Sequence, residues 1–106
     1  MPKYLLQANY VGDGVKGLLK EGGTNRRAAA EMGVQSLGGS IESFYYAFGE
    51  TDAYVIADLP DNVSMAALAL TISATGAVGV KTTVLITPED LDAAVKKSPG
   101  YRGPGQ

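Results

Sequence analysis

Residues 49–52, Gly-Glu-Thr-Asp, separate two runs in which apolar residues alternate, and the gap has hairpin length. The first run is residues 40–48, SIESFYYAF, and the second is residues 53–59, AYVIADL. Strands joined so closely must run antiparallel, because a parallel pair needs a crossover of a dozen residues or more. A continuous βαβ chain of the dinucleotide-binding type is therefore excluded. In the first run Ile41, Ser43, Tyr45 and Ala47 alternate with Glu42, Phe44, Tyr46 and Phe48, which predicts two opposite faces.

The flanking segments extend this hairpin on both sides. Residues 3–11 read as a strand with Tyr4, Leu6, Ala8 and Tyr10 on one face and Leu5, Gln7, Asn9 and Val11 on the other. A turn at 12–14 leads into a helical stretch over about 14–37, with Asp13 as the expected N-cap. Gly22-Gly23 lies inside that stretch, and each glycine costs a helix about 1 kcal/mol, so a kink or break is expected there. Gly38-Gly39 ends the helix. Pro60 stops the strand after the hairpin. Asp61 caps a helix over about 62–75, with Met65, Leu68 and Ile72 inward and Gly76 at its end. Residues 78–87 read as a fourth strand. Thr87-Pro88-Glu89-Asp90 then starts a short helix to about 97, with Thr as N-cap and Pro in the first turn.

The order β-α-β-β-α-β predicts an α+β, ferredoxin-like fold, an antiparallel sheet with helices on one face only, plus a short extra C-terminal helix. Residues 1–97 are expected to form one domain and the Gly/Pro-rich end, 98–106, to be disordered. The uncovered face is expected to hold Leu5, Phe44, Tyr46, Phe48, Tyr54, Ile56 and Leu85, mixed with Gln7, Asn9, Glu42 and Lys81. Monomers rarely leave such a face bare, so a homodimer packed sheet on sheet is expected. The last helix reads as edge cover or as an arm onto the partner.

At 106 residues the chain suits one domain of the usual size, roughly 100–200 residues. Nine basic against eleven acidic residues give a net charge of −2, which counts against nucleic acid as a partner. No apolar run is long enough to span a membrane, and the opening residues do not read as a signal peptide. The chain has no cysteine, histidine or tryptophan. Disulfides, zinc fingers, His-based triads and His-ligated haem are excluded, and the cytoplasm is the expected compartment. Oxygen-ligand metal sites lack the right spacing, so no metal and no cofactor are expected. Any proton transfer must use carboxylates, Lys, Tyr or a terminus.

Gly12, Gly14 and Gly17 form a GxGxxG after a strand. Asp13 stands where a pyrophosphate would sit, and Leu18 replaces the Lys of a P-loop, so the glycines read as an ordinary strand–helix turn. Arg26 is the sharpest anomaly, a charge on an apolar helix face. Such a guanidinium needs a carboxylate, for which Glu42 and Asp52 are candidates, or an anionic ligand. Tyr10, Tyr45, Tyr46 and Tyr54 form an aromatic group on neighbouring strands that packs or orients a small ligand, and Tyr10 and Tyr45 are its candidate ligand contacts. Lys81 is a candidate base, or else a lysine that is simply solvated or paired with Glu42. Asp52 is a candidate proton-transfer group, or else a turn-fixing Asp.

Four segments carry a resemblance: YLLQANYVGDGVKGL, RRAAAEMG, GGSIESFYYAFGETDAYVIADLPD and ATGAVGVKTTVLITPEDL. From Tyr4 to about Leu91 the chain resembles the GYD-domain family, small bacterial and archaeal proteins of mostly unknown function. Gly49 and Asp52 match the ends of the family's Gly-x-Tyr-Asp-like hairpin, while Thr51 stands where the family usually has Tyr. A role for that Tyr therefore does not transfer. The family looks like part of the dimeric α/β-barrel group, which includes monooxygenases, muconolactone isomerases and haem-dependent chlorite dismutases. The haem branch does not fit a chain without histidine.

Three readings follow. The first is an oligomeric α/β-barrel protein that binds a small organic anion through Tyr10, Arg26 and Tyr45, with Asp52 or Lys81 supplying any proton transfer. The second is a cofactor-free isomerase or monooxygenase. The third is an assembly subunit without a ligand.

Overall fold

A computed structural model describes residues 1–106. The elements are β1 (Lys3–Tyr10), α1 (Asp13–Glu21), α2 (Gly23–Ser36), β2 (Ser40–Tyr46), β3 (Ala53–Asp58), α3 (Asn62–Ala74), β4 (Val78–Leu85) and α4 (Pro88–Val95). The four strands form one antiparallel sheet in the order β2-β3-β1-β4. That is the ferredoxin-like arrangement the turn pattern predicts.

The helical stretch after β1 breaks at Gly22, whose φ of 81° lies in the left-handed region that favours glycine. The N-cap of α1 is Gly12, not Asp13, whose side chain makes no capping bond. Elsewhere the caps follow the sequence. Asp61 accepts from the Ser64 amide at 2.8 Å to start α3, and Thr87 accepts from the Asp90 amide at 3.0 Å to start α4. Of the GxGxxG glycines, Gly14 is buried against the Ala77 carbonyl, where a Cβ would collide with backbone. Gly17 faces open space. The motif serves packing of α1 onto the loop before β4.

The core is small. Tyr4 and Leu6 of β1, Val55 and Ala57 of β3, Leu59, Val34 of α2, and Met65 and Leu68 of α3 form one buried cluster. It places α2 and α3 on the face of the sheet that carries Tyr4 and Leu6. The Tyr4 hydroxyl donates to Asn62 Oδ1 at 2.6 Å, which satisfies the one polar atom that this residue brings into the core.

β2 departs from strict alternation. Ile41 pairs with Ala57, yet Ser43 pairs with Ile56, so Glu42 is an extra residue in a β-bulge. The bulge inverts the faces that period-2 reading assigns beyond it. Phe44, Tyr45 and Tyr46 then pair with Val55, Tyr54 and Ala53. Phe44 packs on the core, with its ring centroid 5.1 Å from that of Tyr46, so both lie on the helix side and not on the open face. Tyr45 takes the open face beside Tyr54. Phe48 lies past the strand end, fully exposed near Val15 and Leu19 of α1.

The open face carries Leu5, Gln7, Tyr45, Tyr54, Ile56, Lys81 and Leu85, and no element of the chain covers it. At one end Lys3 bridges Glu42 and Asp58, both at 3.0 Å. Asp58 first and Glu42 second hold the Lys3 ammonium above its ordinary value. Beyond Leu85 the chain leaves the body, and every residue from 86 to 102 is exposed. No helix is long and apolar enough to cross a membrane.

Candidate functional site

Three small residues on one face of α2, Ala29, Ala30 and Gly33, leave space above the sheet. Longer residues close it: Leu68 and Ile72 from α3, Phe44 from β2 and Val80 from β4. The result is a cavity of about 230 Å³ between α2, α3 and the helix face of the sheet. Arg26 is the only charged residue in its lining, and Tyr10 lines it as well.

Arg26 sits in the first turn of α2, on the row that continues to Ala29, Ala30 and Gly33. Its side chain is 33% exposed and its Nη1 lies 3.2 Å from Glu21 Oε2. Glu21 is the last residue of α1, and the break at Gly22 folds it toward Arg26. Desolvation works against the charge of Arg26. The Tyr10 hydroxyl beside it and the Glu21 carboxylate outweigh that loss and hold the guanidinium above its ordinary value.

Tyr46 completes the polar cluster. Its hydroxyl donates to the Gly23 carbonyl at 2.9 Å. Burial first, and the neighbouring Tyr10 second, push its phenol up to about 12. It is a neutral donor at any working pH. Gly23 is needed there, because a Cβ at that position would stand 2.8 Å from the Tyr46 ring.

Asp52 does a different job. Its Oδ2 accepts from the Tyr10 amide at 2.8 Å, its own amide donates to the Ala8 carbonyl at 2.9 Å, and its carbonyl accepts from the Ala47 amide at 2.8 Å. The carboxylate thus pins the hairpin to β1 and fixes the end of the strand that carries Tyr10. Neither Asp52 nor Glu42 pairs with Arg26; the partner is Glu21, and Glu42 is held by Lys3. Nor does Glu42 pair with Lys81.

Tyr45 and Lys81 lie on the other side of the sheet. Tyr45 is 72% exposed opposite Tyr54. Lys81 is exposed opposite Gln7, in a wide polar depression shared with Asn9, Glu50 and Thr51. The five residues singled out from sequence therefore split. Tyr10 and Arg26 meet at the cavity, Asp52 supports them, and Tyr45 and Lys81 belong to the open face. Glu21 escaped sequence reading, since its approach depends on the angle of the helix break, and Tyr46, expected on the uncovered face, reaches the cluster because of the bulge.

The GYD-domain family model matches residues 4–95. The chain belongs to the GYD-domain family. Neither a curated protein nor a solved structure matches it. The matched span of this GYD domain takes in β1 from Tyr4 onward, the other three strands, the Arg26 cavity and the whole of α4. No carboxylate or lysine lines the cavity. Its side chains can hold an anion and enclose an apolar body, but they offer no acid–base pair to a substrate within it.

Proposed function

We propose that this GYD domain binds a small organic anion, with the anionic group on Arg26 and the apolar body between α2, α3 and the sheet. Two copies pair through their open sheet faces, as in a dimeric α/β barrel. The observation that carries the binding reading is a single guanidinium at a largely apolar cavity with no other charge in its lining. Arg26 spends one nitrogen on Glu21, and the remaining donors of its planar fork suit a carboxylate. Glu21 is 48% exposed, so releasing it to water costs little. The cavity is smaller than the roughly 300–1,000 Å³ of drug-sized sites, which favours a compact ligand such as an aryl or short-chain carboxylate.

Calorimetric titration with benzoate and hexanoate, each against its neutral amide, tests this reading. The carboxylates should bind at least about tenfold more tightly than the amides. Arg26→Met should abolish that preference while the melting temperature stays close to that of the unmodified chain. Equal binding of acid and amide, or no binding of either, would sink the proposal.

A further inference from the structure

The chain exposes far more surface than its mass requires. Its 7363 Å² exceeds by roughly 1,700 Å² the about 5,600 Å² expected of a folded chain of 11.0 kDa. The radius of gyration is 16.8 Å, against about 13 Å for a compact domain of this length. The longest dimension is 56 Å and the shortest 22 Å. The excess has a location: residues 86–102 stand clear of the body, and α4 buries none of its residues.

Yet α4 is well specified. Thr87 caps it, Pro88 opens it, and Glu89 and Asp90 fill its first turn. Leu91, Ala94 and Val95 form one apolar row at helical spacing, with Leu91 55% and Val95 73% exposed. An eight-residue helix is marginal in water by itself, so a capped helix with an apolar row implies a surface to pack against. Its own chain supplies none.

We propose that residues 87–106 form an arm that clasps a second copy of this chain. The inference rests on the paired-sheet reading above. The arm leaves from β4, the edge strand of the sheet, and so starts at the rim of the uncovered face. A second copy paired at that face brings a surface within reach of the arm at the rim, and two-fold symmetry makes the clasp reciprocal. The excess of roughly 1,700 Å² per chain falls in the range that each subunit of an obligate homodimer buries. The family match runs through Val95, so α4 belongs to the domain proper.

The test uses the full chain with a photo-reactive benzoylphenylalanine in place of Leu91. Irradiation should yield a covalent species of twice the chain mass on a denaturing gel. In parallel, the double variant L91D/V95D should weaken pairing at least about tenfold by concentration-dependent light scattering. A dimer with cross-links only within one chain, or with pairing unchanged in the variant, overturns the arm and leaves the paired sheets standing. A monomer at every concentration overturns both.

Discussion

Glu21 and Arg26 face each other across the Gly22 break, with Oε2 and Nη1 3.2 Å apart, although they sit on two different helices. The pair holds the guanidinium at the cavity. A ligand carboxylate must compete with Glu21 for it. Glu21→Gln should therefore tighten carboxylate binding several-fold in calorimetry. Stability should change by less than about 1 kcal/mol, as for other half-exposed ion pairs.

The GxGxxG glycines should respond to alanine with opposite signs. Gly14→Ala drives a Cβ into the Ala77 carbonyl and should destabilise by about 1–3 kcal/mol or more. Gly17→Ala meets nothing within 4 Å and lies inside α1, so helix propensity should stabilise it by up to about 1 kcal/mol. Urea unfolding of both variants checks the contrast. A fingerprint role would instead predict that both substitutions damage the protein.

Tyr46 should make stability fall at alkaline pH. Its phenol titrates near 12 when folded and near the ordinary 10 of tyrosine when unfolded. Its contribution is full below about pH 10 and is lost as pH rises toward about 12, because only the unfolded chain has released that proton. Tyr46→Phe should flatten this decline in melting temperature. Absorbance near 295 nm should show the variant missing a late-titrating tyrosine that the unmodified chain has.

At the acid end Asp61 acts in the opposite direction. The Ser64 backbone amide, and secondarily the Ser64 side chain, hold its carboxyl below the ordinary 3.8. That contribution is present above the unfolded value and is lost as pH falls through the folded one. Asp61→Asn keeps a capping acceptor and removes the charge. Between about pH 5 and 3 the variant should lose less stability than the unmodified chain in thermal melts.

Element boundaries were readable because local chemistry decides them. Asp61, Thr87-Pro88, Pro60 and Gly38 act through bonds or dihedrals within a few residues. The faces of β2 were not readable, since nothing in Ser40–Phe44 announces that Glu42 is an extra residue. One inserted position carried Phe44 and Tyr46 to the helix side and left Tyr45 outside. Arg26 stood out in sequence as a lone charge on an apolar row, and the structure places it at the cavity. Its partner depends on how two helices meet at Gly22, which no periodicity encodes. Asp52 was legible only as a pair of alternatives. The hydrogen bond from the Tyr10 amide shows its carboxylate tying the hairpin to β1.

The cavity exists because Ala29, Ala30 and Gly33 are short, whereas the caps, the break and the bulge that shape the domain lie elsewhere. A Cβ at Gly33 would meet Leu68 Cδ1 at 3.5 Å, an ordinary contact, so even that position can accept a larger residue. Under the proposed binding, the size of the anion is therefore governed by three positions of a single helix. Selectivity in such a domain can drift through methyl groups, one at a time, under a scaffold that stays as it is.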